Sequence, residues 1–324
     1  MIISLIQRSI TMALIMLFGA DGEILTEKSG NLNLGVPGIM YMGGIGGLMG
    51  SFLYENYAAE PVGIVALLIA LFSSLLCSGL AALLYSFLTI TLRANQNVTG
   101  LALTTFGVGF GNFFGGSFSK LAGGVGQISV QTTAGAFKAS IPGLKDIPVL
   151  GQLFFDRGWM FYLGIGITVV LVYFLKNTRK GLALRAIGEN PATADAAGIN
   201  VIRYKYIATV VGGMISGLGG LYFVMDYSSG TWSNNSFGEF GWLSVALVIF
   251  AMWKPLNVMW GSLVFGALSI LYLYVKGLNT HTTQIFNMLP YFITIVVLVI
   301  TSLRKRKEQQ PPASLGLPYF REDR

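Results

Sequence analysis

KNTRKGLALRAIGENPATADAAGIN, from Lys176 to Asn200, stands between two apolar runs, each long enough to cross a bilayer. Residues 176–205 hold Lys176, Arg179, Lys180, Arg185, Arg203 and Lys205 against only Glu189 and Asp195. Short basic loops stay on the cytoplasmic side of a membrane protein, so the stretch is expected inside the cell. Its local chemistry predicts two short helices joined by a cap. Asn190 suits an N-cap, Pro191 the first helical position where no N–H is needed, and Gly198 a left-handed C-cap, which places the second helix over residues 191–197. Ala192, Ala194, Ala196 and Ala197 give that helix a low-relief surface that another protein can approach closely. A solvated, capped loop helix is the alternative.

Composition sets the class around this stretch. Charged residues make up 11% of the 324 and apolar residues 53%, and the mean hydropathy is +0.66. Soluble domains carry about 25% charge, so the chain reads as an all-α, polytopic membrane protein. The net charge of +7 is concentrated in residues 176–205 and in RKRK at 304–307. Both flank apolar spans, which points to topology and anionic headgroups, not to nucleic acid. The single cysteine, Cys77, lies in an apolar run and reads as a buried structural thiol. Arg8 falls within the first apolar stretch and Asp21-Gly-Glu23 follows it, which is not the order of a cleaved signal, so this segment is kept in the mature chain.

A scan for uncharged stretches of about 20 residues yields nine spans, with eight to ten allowed. They are residues 1–20, 34–54, 61–92, 98–116, 159–175, 206–225, 240–253, 256–275 and 285–303. The third is long for one crossing and reads as a tilted helix or a helix with a re-entrant piece; the seventh is short and reads as a half-helix or a steeply ended span. Residues 21–33 are expected to form a polar connection. Residues 117–158, with Lys120, Lys138, Lys145 and Arg157, form an expected external loop, and residues 304–324 a basic cytoplasmic tail. Counting crossings from the basic stretch brings the C-terminus back inside.

Glycine occurs 42 times. Pairs at four-residue spacing, such as Gly43 and Gly47 or Gly213 and Gly217, point to helices packed backbone to backbone. In SGNLNLGVPGIM (Ser29 to Met40), Gly35, Pro37 and Gly38 break helix geometry just where Asn31 and Asn33 enter an apolar run, and broken helices at membrane depth occur where backbone lines a cavity. Asn31 and Asn33 either meet a polar solute there or cap the next helix. Asn95, Gln96 and Thr99 form a second polar cluster that suits a neutral solute or a capped loop. Tyr222, Phe223, Tyr227, Trp232 and Trp242 read as interface anchors before ring-stacking groups.

No phosphate loop ending in GKS or GKT occurs, so this chain is not expected to hydrolyse ATP. His281 has no second histidine or nearby cysteine, which leaves a metal site unsupported. No carboxylate lies deep inside an apolar run, Asp226 and Glu239 being at edges, which counts against ion coupling. A stand-alone carrier or facilitator remains the alternative class. A membrane enzyme lacks its constellation of His, Cys or carboxylates.

RAIGENPA (Arg185 to Ala192) followed by AGIN (Ala197 to Asn200) resembles the cytoplasmic coupling segment of bacterial ABC-importer permeases, in the branch for branched-chain amino acids, simple sugars and nucleosides. SGNLNLGVPGIM is similar to that branch's glycine-rich N-terminal motif, with Pro37 where the branch usually has glutamate. LGLPYFREDR (Leu315 to Arg324) resembles the C-terminus of nucleoside-type permeases, usually the second of two paired subunits. The resemblance implies a type II importer-like permease that couples to a separate ATPase through Arg185, Gly188, Glu189, Asn190, Pro191, Ala192, Ala196 and Gly198. It implies a pathway for a small polar solute, nucleosides first, near Asn31, Asn33, Gly35, Pro37, Asn95, Gln96 and Thr99. It further implies a second permease, an extracytoplasmic solute-binding lipoprotein, ATP and Mg used only by the partner ATPase, and residence in the bacterial inner membrane.

Overall fold

Helix α1 (Ile2–Glu27) runs straight through the polar residues expected to end it. This is seen in a computed structural model that describes residues 2–121, 128–138, 151–237, 239–275, 279–304 and 310–321. After α1 come α2 (Val36–Tyr57), α3 (Gly63–Ser86), α4 (Gln96–Leu121) and the short α5 (Gln131–Phe137). Then follow α6 (Trp159–Asn177), α7 (Arg179–Glu189), α8 (Pro191–Ala196) and α9 (Val201–Tyr222). The described chain closes with α10 (Phe240–Phe250), α11 (Pro255–Ile270) and α12 (Thr280–Arg304). Among the described residues there is no strand, only an isolated bridge between Ser129 and Thr231.

Seven helices are long and apolar enough to cross a membrane: α1, α2, α3 with its continuation to Thr91, α6, α9 with its continuation to Tyr227, α11 and α12. The expected count of nine is therefore not reached on that measure. The missing two are both helical: α4 has 26 residues but a more polar sequence, and α10 has only 11 residues. The long third stretch is one continuous helix, closed by an i+5 turn in which Leu92 N–H donates to the Phe87 carbonyl at 3.0 Å.

Helices α1, α2 and α9 form the centre, α2 being the most buried span and α12 the least. Glycine lets these helices touch along their backbones, as its spacing predicts. A Cβ added at Gly220 of α9 would lie 1.8 Å from the Met40 carbonyl of α2, and one at Gly43 2.5 Å from Gly217 Cα. The same closeness joins α1 to α9 at Gly22 and Gly212, and α2 to α4 at Gly38 and Gly107.

The stretch expected as an external loop starts later and is more ordered than expected. Helix α4 continues to Leu121, and α5 is held to α2 by Glu55, which accepts hydrogen bonds from Thr133 N–H at 2.7 Å and its hydroxyl at 2.6 Å. Arg157 ties the next segment to α1 through the Thr11 hydroxyl and the Gln7 carbonyl, both at 2.9 Å. Burial pushes the Arg157 guanidinium below its usual range. Lys145 and the prolines Pro142 and Pro148 lie outside the described residues, as do residues 305–309 of the basic tail.

The aromatics read as interface anchors turn out largely to be core. Tyr222, Phe223 and Trp232 are buried. Trp232 packs edge-on against Tyr41, and Phe223 against Phe237 at 4.9 Å between ring centres. The chain folds the segment after α9 back over α2 and α4, so rings that composition would place at the membrane surface are covered. His281 is exposed in the first turn of α12.

Replacing Gly220 by alanine is expected to cost about 1–3 kcal/mol through overpacking. Gly166→Ala, where an added Cβ meets nothing within 4 Å, is expected to cause no loss and to gain up to about 1 kcal/mol. Thermal unfolding of the detergent-purified chain, followed by loss of the monodisperse chromatographic peak, checks both.

Candidate functional site

Between α1 and α2, residues 28–35 leave helical geometry inside the bundle, where a peptide group shut away from water needs a partner. Side chains of α1, α3 and α4 supply one for Leu32, Asn33 and Leu34. Leu32 N–H donates to Gln96 Oε1 at 2.7 Å, and the Tyr85 hydroxyl donates to the Leu32 carbonyl. Asn33 N–H donates to Glu23 Oε1 at 3.0 Å, and the Thr104 hydroxyl to the Leu34 carbonyl at 2.8 Å. Asn33 Oδ1 accepts from Gly35 N–H at 2.9 Å, and Asn31 Nδ2 donates to Thr209 at 3.1 Å. Gly30 turns the chain at φ +80, a conformation L side chains rarely adopt.

The basic stretch folds as its caps require. The Thr178 hydroxyl accepts from Gly181 N–H at 3.0 Å to start α7, and Asn190 Oδ1 accepts from Thr193 N–H at 3.0 Å to start α8. Pro191 stands in the first turn of α8. Gly198, at φ +83, ends it: Gly198 N–H donates to Asp195 and Ile199 N–H to Ala194, the paired bonds of a Schellman close. Asn200 then caps α9 through Arg203 N–H at 3.0 Å. Four sharp stops in 23 residues make α7 and α8 a rigid hairpin between α6 and α9. Ala194 faces inward with Ile187 and Val201, while Ala196, Ala197 and Gly198 are exposed.

The tail, residues 310–321, lies across this hairpin. Ser314 N–H donates to the Gly188 carbonyl at 2.9 Å, and the Ser314 hydroxyl to the same carbonyl at 2.6 Å. Tyr319 donates to Asp195 Oδ2 at 2.9 Å, and Arg321 pairs with that oxygen at 3.2 Å. The Arg93 guanidinium, in the turn before α4, sits 4.4 Å from the centre of the Phe320 ring. A Cβ on Gly188 would lie 2.4 Å from the Lys28 carbonyl, so α7 also rests on residues 28–35. Burial lowers the pKa of Lys28, with Glu189 opposing the shift. Three motifs more than 100 residues apart therefore meet at one end of the bundle.

A cavity of about 450 Å³ opens at that junction, lined by Asn31, Thr89, Gln96, Asn200, Lys205 and Tyr319 among others. Of the residues expected along a solute pathway, Asn31 and Gln96 face it. Asn33 and Gly35 are buried parts of the loop's own hydrogen bonding. Pro37 starts α2 and packs on Gly241 of α10, so it opens a helix instead of breaking one. Asn95 is an exposed cap of α4, accepting from Val98 N–H at 3.1 Å, and Thr99 is half-buried. Of the residues expected to couple, Arg185, Glu189, Asn190, Ala196 and Gly198 are exposed, Pro191 and Ala192 half-buried, and Gly188 faces inward.

Sequence reasoning missed the carboxylates of α1. Asp21, Glu23 and Glu27 are buried at 1%, 1% and 3% exposure, which removes the argument from absent buried carboxylates. Thr168 donates to Asp21 and Trp253 Nε1 to Glu27, so α6 and the turn before α11 are tied to α1. The signal that could have found them is Gly22 between Asp21 and Glu23, which continues a small-residue face toward α9. Among the described residues no His, Cys, Asp and Glu grouping could hold a metal.

This architecture defines a membrane-embedded helical permease. Residues 5–298 match the family described as the permease component of branched-chain amino acid transport systems, and the chain belongs to that family. It is 30% identical to a guanosine ABC transporter permease of Bacillus subtilis, over 93% of this chain and 92% of that one. It is 30% identical to a nucleoside ABC transporter permease of Lactococcus lactis subsp. cremoris, over 88% of each. A putative glucose ABC transporter permease of Haloferax volcanii is 29% identical over 98% of each.

Gln96→Leu strands the part-buried Leu32 N–H and is expected to cost about 1–3 kcal/mol, whereas Asn95→Ala loses only an exposed cap, about 1 kcal/mol. Reversible unfolding in mixed micelles measures the difference.

Proposed function

We propose that this chain is the membrane-spanning subunit of an ATP-driven importer and forms the pathway for a small polar solute, nucleosides first and simple sugars next. The observation that carries the reading is the α7–α8 hairpin, capped at every end and fastened to the bundle by the tail. A loop with no mechanical task has no need of this fastening. The family and the relatives named for nucleosides, guanosine and glucose support the substrate class.

In this reading the hairpin faces the cytoplasm, as does the C-terminus, and the membrane is the bacterial cytoplasmic membrane. A separate ATPase docks on the exposed face of α8 at Ala196 and Ala197, and ATP and Mg act there, not on this chain. A second, related permease completes the pathway, and an extracytoplasmic binding lipoprotein delivers the solute. Movement of α8 reaches the transmembrane helices by three routes: covalently through α6 and α9, through Gly188 onto residues 28–35, and through the tail onto Arg93. The polar cavity at Asn31, Gln96 and Asn200 is the vestibule on the cytoplasmic side.

Ala196→Trp with Ala197→Trp is expected to abolish solute-stimulated ATP hydrolysis by the reconstituted complex while the permease remains folded and monodisperse; unaltered stimulation would overturn the docking assignment. Tyr319→Phe with Arg321→Ala releases the tail from Asp195. That pair is expected to lower solute-stimulated hydrolysis about ten-fold, the size of a hydrogen bond to a charged group, with the ATPase still retained in a pull-down.

A further inference from the structure

A second cavity, of about 1060 Å³, runs between α6 and α9. Its walls are apolar along most of their length, with Leu163, Ile167 and Phe174 from α6 facing Ile207 and Val211 from α9. Val170 and Ile207 are 64% and 53% exposed, so the groove opens sideways to the surroundings of the bundle. The 19 residues of α6 rise about 28 Å, close to the hydrocarbon thickness of a bilayer. At the hairpin end the character changes: Lys180 of α7, Arg203 and Asn200 line the mouth, and among the described residues no acidic one lines the groove. Among the described residues, neither Lys180 nor Arg203 has an ion-pair partner.

We propose that this groove holds one anionic phospholipid, its acyl chains between α6 and α9 and its phosphate between Lys180 and Arg203. Charge selects the occupant. An apolar slot closed by two unpaired cations and a helix N-terminus suits a ligand with hydrocarbon at one end and negative charge at the other, and basic pockets between transmembrane helices take anionic headgroups. Tyr204, which also lines the mouth, is amphipathic and suits the headgroup level. A zwitterionic lipid fills the slot equally well but brings a cation to face Lys180 and Arg203.

The position gives the lipid a task, and this part rests on the coupling role proposed above. Lys180 stands two residues past the Thr178 cap where α6 passes into α7, and Arg203 three residues past the Asn200 cap where the hairpin returns to α9. One phosphate therefore clamps both roots of the hairpin and stiffens it against the ATPase.

The test uses the assembled transporter in nanodiscs of equimolar phosphatidylcholine and phosphatidylglycerol, with retained lipid read by native mass spectrometry. The wild type is expected to retain phosphatidylglycerol about ten-fold over phosphatidylcholine. K180E with R203E removes the preference, and Gly166→Trp, which fills the groove where an added Cβ meets nothing within 4 Å, removes the retained lipid with both charges in place. Equal retention of the two lipids by the wild type, or a preference that survives K180E with R203E, overturns the site. Efficient crosslinking of an Ile207→Cys variant to the second permease in native membranes also overturns it, because protein then fills the groove. Lipid retention with solute-stimulated ATP hydrolysis indifferent to phosphatidylglycerol overturns the clamp and leaves the site standing. Loss of coupling with lipid still retained faults the docking assignment alone.

Discussion

A peptide group cut off from water must find a partner within the protein, and in this molecule that demand is concentrated in residues 28–35. The chain stops being helical there while still enclosed by α1, α3, α4 and α9, and its freed groups at Leu32, Asn33 and Leu34 are matched by side chains of α1, α3 and α4. Leaving one such group unpaired costs about 1–3 kcal/mol, so Glu23 of α1, Tyr85 of α3, and Gln96 and Thr104 of α4 hold three helices in register around one loop. The close glycine contacts between α1, α2 and α9 serve the same arrangement, since they bring the helices near enough for short side chains to reach the loop.

The same loop is what the hairpin stands on. Gly188 meets the Lys28 carbonyl without a side chain between them, and the tail passes over both, its Ser314 bound to Gly188 and its Tyr319 and Arg321 to Asp195. Through α7 and the tail, α8 is thus joined to the place where the bundle is least regular.

The caps of the hairpin were legible because they are local. Asn190, Pro191 and Gly198 act within four residues of themselves, and their geometry needs no knowledge of the rest of the chain. The spans were legible for a similar reason, as apolar content over about 20 residues reports the solvent directly. Asp21, Glu23 and Glu27 were not, because a charge in a one-dimensional scan ends a span regardless of what covers it. Here Thr168 and Trp253, far away in sequence, and Asn33, ten residues on from Glu23, supply the hydrogen bonds that let α1 continue. Asn33 stood out by its polarity within an apolar run, and Gly35 and Pro37 by their power to break a helix; both signals arise equally where a segment meets solute and where it bonds or turns its own backbone.

By itself, the amino-acid order determined that this is a bundle of membrane helices interrupted by one basic, sharply capped hairpin, since hydropathy and capping are properties of neighbours along the chain. Tertiary structure alone decided that the N-terminal glycine-rich loop, the hairpin and the tail converge, that Gly188 faces inward, and that α6 and α9 stand apart to leave a groove. Those outcomes depend on which helices touch, and helix contact is set by shape and hydrogen bonding between residues that the sequence keeps far apart.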